Sequence, residues 1–221
     1  MIKLSNRLKL TADFVNECEH FVDVGTDHAY LPTFLIEINK AKRAIASDIN
    51  PNPLKNAEQT IIESNLSDKI ELRISDGLNN ISENEADEIA MAGMGGLLIS
   101  DIIERTEWLK NPKKHLVLQP MTHSENVRQA LTKNGFRIDC EKTTAEGKRL
   151  YLVISATYDG IIRTFPKHYY YVGRLNLSKD ETDIKYVEKI KDRLLKQKQA
   201  LENSHQETGD LPEIIRGINN D

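Results

Sequence analysis

The sequence predicts a doubly wound α/β domain whose parallel sheet finishes in an antiparallel edge hairpin, with a smaller α-helical unit behind it. Three observations carry this. Short apolar runs end repeatedly in glycine or a carboxylate and give way to helical patterns, the alternation that builds βαβ units. The last two strand-like runs have no helix between them, so they pair as a hairpin at the sheet edge. From about residue 162 the pattern changes to charged helices with a narrow apolar stripe. A chain of 221 residues holds one full α/β domain and an appendage, so the expected division is 1–161 and 162–221.

In chain order, an opening helix is expected after Ser5, a favourable N-cap residue, with Leu8, Leu10, Phe14 and Val15 on its buried side. The first strand runs through Phe21, Val22 and Val24 and breaks at Gly25. Four more follow: Ala41–Ser47 ending at Asp48, Ile70–Ile74 before Asp76-Gly77, Ile89–Ala92 before Gly93, and Leu116–Leu118 before Gln119-Pro120. Helical patterns over Leu54–Ser64, Leu97–Leu109 and Glu125–Lys133 separate them. Phe136–Glu141 and Leu150–Tyr158 form the hairpin, joined through Glu146-Gly147. Beyond it, Phe165, Tyr169 and Tyr170 cluster ahead of Gly173. A long helix over Asp180–Ser204 carries Ile184, Val187, Ile190, Leu194, Leu195 and Leu201 on one stripe, and a shorter one over Glu213–Ile218 follows a break near Gly209 and Pro212. Two such helices suggest an antiparallel, coiled-coil hairpin in which each hides the other's seam.

Composition narrows the function classes. The N-terminus carries Lys3, Asn6, Arg7 and Lys9 where a secretory signal would need an apolar run, and no stretch is long enough to span a bilayer. Cys18 and Cys140 have neither metal nor Cys-x-x-Cys spacing. They read as free thiols of a cytoplasmic protein, and no metal site is expected. The net charge of −4 conceals an asymmetry: residues 163–198 hold 10 basic and 5 acidic side chains. A mildly acidic body with a basic limb suits a polyanionic partner, although a solvated lysine-rich face would give the same count.

The loop after the first strand, FVDVGTDHAYLP, is the most informative stretch. Dinucleotide loops place glycine at the first, third and sixth positions so that backbone can cradle pyrophosphate. Here those positions hold Gly25, Asp27 and Tyr30, and a carboxylate there repels phosphate. Small residues at every second position would instead give Gly25, Asp27, Ala29. S-adenosylmethionine (SAM) has no phosphate and carries a sulfonium and an ammonium, so acidic residues suit it. Asp23, Gly25, Thr26 and Asp27 are therefore candidate cofactor contacts. Asp48, 23 residues after Gly25, sits at the distance of a ribose-binding carboxylate, with Ile49 and Asn50 beside it. Asp76 and Gly77 lie where a carboxylate can accept from the adenine amino group. AMAGMGG, with Ala92, Gly93, Met94 and Gly95, ends a strand with little side-chain bulk and lets backbone approach a ligand closely. Gln119 and Pro120 end the next strand on the same side of the sheet.

DVGTDHAYLP, SDGL, AGMGG and LQP, in that order and spacing, with LSNRL at the start, resemble the bacterial tRNA (adenine-22 N1)-methyltransferase family over about residues 4–160. The match has one departure, Thr26 where serine is expected, which keeps the hydroxyl. The resemblance implies a class I methyltransferase fold with a Rossmann-like sheet, SAM as cofactor, tRNA as substrate and a C-terminal helical RNA-binding unit. Asp27, His28, Tyr30 and Arg7 are then candidate catalytic residues, Arg7 reaching phosphate or base. Lys185, Lys189, Arg193 and Lys196, at helical spacing, would track phosphates, with Gln119 and Pro120 on the substrate side. Enzymes that methylate exocyclic amino groups usually carry Asn/Asp-Pro-Pro-aromatic after the fourth strand. Ala92-Gly93-Met94-Gly95 there instead favours N1, whose in-plane lone pair needs no prior deprotonation. The alternatives left open are a SAM enzyme for another RNA, a protein or a small molecule, and a non-catalytic nucleotide-binding module.

Overall fold

The computed structural model of the chain describes residues 1–220; Asp221, the last residue of the expected helical unit, lies outside them. The elements run α1 (Asn6–Phe14), β1 (Cys18–Val24), α2 (Tyr30–Glu37), β2 (Ala41–Asp48), α3 (Pro51–Glu63), β3 (Ile70–Ile74), β4 (Glu88–Gly95), α4 (Gly96–Arg105), β5 (His115–Thr122), α5 (Ser124–Lys133), β6 (Phe136–Glu146), β7 (Arg149–Tyr158), α6 (Lys167–Val172), α7 (Glu181–Asn203) and α8 (Leu211–Asn220). The strands form one seven-stranded sheet in the order β3-β2-β1-β4-β5-β7-β6. The pairs β1–β2, β1–β4, β2–β3 and β4–β5 are parallel, and β5–β7 and β6–β7 antiparallel. The order reverses between β1 and β4, which puts the ligand crevice of such a sheet at their carboxyl ends.

Each expected strand is present because its apolar residues cover both faces of a buried sheet. Phe21, Val22, Ile89, Ala90, Met91, Leu116, Val117 and Leu118 are all fully buried, the near-continuous burial of parallel strands. The hairpin closes on a two-residue turn, Gly147-Lys148, between the paired Glu146 and Arg149. Gly147 takes a positive φ of 58°, the freedom such a turn demands. β6 runs to Glu146, five residues beyond its expected end. Its tip lies over the start of α1, where Glu146 Oε1 accepts from the Arg7 backbone N–H at 2.6 Å and the Ala145 carbonyl accepts from Asn6 Nδ2 at 2.9 Å. A carboxylate there satisfies an orphan donor at a helix N-terminus.

The helices differ from expectation in three places. α6 forms over Lys167–Val172, where only an aromatic cluster is expected. The pattern read as one helix over Leu97–Leu109 breaks at Thr106 (φ −102°, ψ 89°), and a short 3₁₀ turn over Glu107–Leu109 follows α4. The C-terminal helices do not simply hide each other. Tyr186, Ile190 and Leu194 of α7 and Leu211, Ile214, Ile215 and Ile218 of α8 belong to the same apolar cluster as Leu118, Leu152 and Ile154 of the sheet. Ile184 and Leu195, placed on the buried stripe by periodicity, are exposed, and Tyr186 takes the inward position.

Polar contacts fix this docking. The buried Asp183 carboxylate accepts from Thr143 N at 2.9 Å, Thr143 Oγ1 at 2.6 Å and Ser178 Oγ at 2.7 Å. Arg128 of α5 and Glu141 of β6 form an ion pair at 2.6 Å with both side chains fully buried. Arg128 Nη1 also donates to the carbonyls of Tyr170 and Tyr171 in α6. Gly173 packs against that pair with φ 58° and ψ −143°, a conformation open essentially to glycine alone. No helix of the described residues is long and apolar enough to cross a membrane. Among them no cluster of His, Cys, Asp and Glu could hold a metal ion, and both cysteines are free.

Candidate active site

The carboxyl ends of β1, β2, β4 and β5 bring most of the predicted residues together. The β1 loop is built around Asp23, which burial leaves about 6% exposed. Its Oδ2 accepts from Thr26 Oγ1 at 2.7 Å, and Thr26 Oγ1 in turn accepts from Ala29 N at 3.2 Å. The hydroxyl thus bridges the strand end to the start of α2, which explains why threonine serves where serine was expected. Burial pushes the Asp23 carboxyl up to about 6, against the opposing pull of the Thr26 hydrogen bond and the Arg7 charge. The turn is tied to β2 by the Ser47 carbonyl, which accepts from both Gly25 N and Thr26 N at 2.8 Å.

Gly25 has φ 75° and Ala29 φ 50°. Small residues at every second position therefore answer a backbone demand, since a left-handed conformation disfavours anything bulkier. Ala29 is also fully buried. A Cβ at Gly25 would lie 3.0 Å from Met94 Sδ, so the β1 and β4 loops touch. At Gly96 a Cβ would collide with the Thr122 and His123 carbonyls, which packs the start of α4 against the end of β5. These contacts supply the packing reason for Gly96 and a conformational one for Gly93, whose φ is 81°.

Gln119, fully buried, sits at the junction of β4 and β5. Its Oε1 accepts from Gly93 N at 3.0 Å and from Arg7 Nη1 at 2.7 Å. The Arg7 guanidinium also faces the Tyr151 ring, 5.9 Å from its centroid. Arg7 thus packs at the carboxyl ends of β4 and β5. Tyr151 was not legible in the sequence, because only the β5–β7 pairing carries it to this end of the sheet. Neither was Glu146, which holds α1 in place.

The remaining candidates spread outward. Asp48 Oδ1 accepts from Asn50 N at 2.7 Å, so one carboxylate oxygen is engaged in a local turn. Asn50 caps α3 without a side-chain bond, and Ile49 is exposed beside it. The Asp76 carboxylate is held by Arg105, with Nη2 to Oδ1 at 2.7 Å and Nη1 to Oδ2 at 3.1 Å, and that hydrogen bond lowers its pKa. Asp27 is solvent-exposed, 3.5 Å from His28 Nε2 and 3.5 Å from Asn56 Nδ2 of α3. Its carboxylate therefore lies between His28 and α3. His28 and Tyr30 stack with centroids 5.0 Å apart.

A cleft of about 950 Å³ opens beside the site between the end of β5, β7 and α7. Pro120, Met121, Arg149 and Tyr151 line one wall, and Lys185, Lys189, Arg193 and Lys196 the other. The four expected basic residues thus share one cleft with Pro120. Lys185 pairs with Glu181 at 2.6 Å and Arg193 with Glu125 at 3.5 Å. Lys189 and Lys196 form no ion pair among the described residues. A second hollow of about 390 Å³, lined by His20, Arg43 and Lys69, lies at the opposite, amino-terminal edge of the sheet and away from all these groups.

Comparison with known proteins follows the same lines. Residues 4–154 match a family model described as a methyltransferase domain. The chain is 36% identical over 167 residues to the Bacillus subtilis tRNA (adenine(22)-N(1))-methyltransferase, covering 72% of this chain and 70% of that protein. The crystal structure of the B. subtilis m1A22 tRNA methyltransferase superposes with a TM-score of 0.84 at 29% identity, over 99% of this chain and 95% of the other. A Streptococcus pneumoniae protein crystallised in complex with S-adenosyl-L-methionine gives the same TM-score at 27% identity, covering 98% of this chain and 99% of that one. By sequence and by fold, the chain belongs to the tRNA (adenine(22)-N(1))-methyltransferase family.

Proposed function

We propose that this protein is a SAM-dependent methyltransferase that methylates N1 of adenine 22 in tRNA, acting in the cytoplasm. One observation carries the reading: a loop with two left-handed small residues, Gly25 and Ala29, wraps a buried carboxylate at the switch point of the sheet. Acidic groups where a dinucleotide site would place phosphate-binding backbone fit a cationic cofactor without phosphate. Asp23, Gly25 and Thr26 would hold its amino-acid end, Asp48 its ribose, and Ile49 with the Asp76-Gly77 turn its adenine. When bound, the cofactor supplies an electrophilic methyl group on sulfur.

The protein's share of the chemistry is alignment and charge. Adenine N1 attacks through its in-plane lone pair, so no general base is required. The site must hold nucleophile, methyl carbon and sulfur in line and tolerate positive charge arriving on the base. The glycine-rich end of β4 leaves room for a planar base to approach, and the His28–Tyr30 stack offers an aromatic surface beside it. N1 lies on the pairing edge, so the base must be unpaired or flipped from its stack. The basic cleft supports a tRNA substrate, because phosphates laid along α7 would lead into the β5 end where Gln119 and Pro120 sit.

Incubating unmodified tRNA transcripts with labelled SAM and mapping the product tests this. We expect one N1-methyladenine at position 22. Label in protein or small molecules but not in tRNA would overturn the reading.

A further inference from the structure

We infer that Arg7 is the anchor for the carboxylate of the cofactor's amino-acid end, and that Gln119 is the residue that positions it. This rests on the reading of the site as a SAM site and replaces the expectation that Arg7 contacts RNA. The geometry points there for four reasons. The guanidinium is held on several sides: Nη1 donates to the buried Gln119 Oε1, the Tyr151 ring faces the group, and Gly93 lies so close that a Cβ there would sit 3.2 Å from Nη1. Second, among the described residues its other N–H groups have no hydrogen-bond partner, which leaves a fixed cation with free donors. Third, Arg7 is close enough to Asp23 for its charge to act on that carboxylate. A cation and an anion side by side at the β1–β4 switch point complement a zwitterionic amino acid, Asp23 facing the ammonium and Arg7 the carboxylate. Fourth, the base gains positive charge as N1 is methylated, so a guanidinium facing that base would oppose the reaction, whereas one facing a carboxylate does not.

Gln119 acts through Arg7. One carbonyl oxygen accepts from both the guanidinium and Gly93 N, so it fixes the cation and the β4 loop at a single point. Holding the guanidinium beforehand reduces the entropy lost on binding.

The test compares SAM with decarboxylated SAM, which keeps the sulfonium and ammonium and lacks only the carboxylate. Calorimetry on the full-length protein gives the affinity ratio of the two ligands for wild type, Arg7→Met, Arg7→Lys and Gln119→Leu. Because the ratio is taken within each variant, partial loss of folded protein cancels. We expect wild type to favour SAM by at least about tenfold, the scale of a charge-assisted hydrogen bond. The ratio should fall to within about twofold in Arg7→Met, survive in part in Arg7→Lys, and shrink several-fold in Gln119→Leu. An unchanged ratio in Arg7→Met, with reduced tRNA affinity instead, would overturn the inference and return Arg7 to the RNA. A wild type that binds neither ligand would overturn the proposed function itself, and the inference with it.

Discussion

Replacing Asp23 by asparagine should make the ligand-free protein more stable above pH 7 while impairing cofactor binding. Asp23 is almost fully buried, and burial raises its pKa from 3.8 to about 6 in the folded chain. The folded state therefore binds this proton more tightly than the unfolded state, and the ionised side chain destabilises the fold. The penalty is absent below about pH 4, grows as pH rises from about 4 to 6, and is complete above that. That difference corresponds to about 3 kcal/mol at pH 8, and to about half of that at pH 5. Asparagine keeps an acceptor for the Thr26 hydroxyl and carries no charge, so it removes the penalty without opening a cavity. Urea unfolding of both proteins between pH 5 and 8 should show the variant's advantage increasing with pH. A variant no more stable than wild type at pH 8 would refute the claim that the carboxylate is held at a cost to the fold.

The same charge explains why the cost is tolerated. A cationic cofactor beside Asp23 favours its ionised form, so binding near pH 6 should release a proton and SAM affinity should rise with pH through that range. Calorimetry in two buffers of different ionisation heat reads the release directly. It should vanish in Asp23→Asn. Proton release that persists in the variant would assign it to another group.

Two further outcomes concern the C-terminal helices. Charge reversal at Lys185, Lys189, Arg193 and Lys196 together should flatten the salt dependence of tRNA affinity, since fewer counterions are displaced, and leave SAM affinity unchanged; an unaltered slope in filter-binding titrations would place the RNA elsewhere. Gly173→Ala should destabilise the fold by at least about 3 kcal/mol, because the new methyl group meets the Arg128–Glu141 pair at a backbone conformation alanine resists. Denaturant unfolding within about 0.5 kcal/mol of wild type would show that the pair can give way.

How much of this was legible in the sequence follows from the range of the interactions involved. The β1 loop was readable because its demands are local: a positive φ at Gly25 and at Ala29 writes itself directly as small residues. The sheet was readable because strands buried on both faces must be apolar throughout. Thr106, where α4 ends, left no such mark, since the apolar period continues through Trp108 and Leu109 while the backbone turns. The α7 stripe misled for a related reason. Periodicity locates an apolar face but not what covers it, and the neighbour proved to be β6 and the sheet's own core, which selects Tyr186 over Ile184.

The long-range polar pairs were beyond reach altogether. Arg105 with Asp76, Arg128 with Glu141 and Asp183 with Thr143 join residues 29, 13 and 40 positions apart, with no pattern linking them. Their consequences differ. Asp183 and the Arg128–Glu141 pair are buried, so undocking the C-terminal helices would break the hydrogen bonds from Thr143 to Asp183 and from Arg128 to the α6 carbonyls, and would expose the apolar surface beneath. The basic wall of the cleft is therefore held against the sheet. A helical unit anchored in this way can present phosphate contacts at a fixed distance from the β4 and β5 loops. If the cleft binds RNA as proposed, that fixed distance suits a methyl transfer limited by alignment.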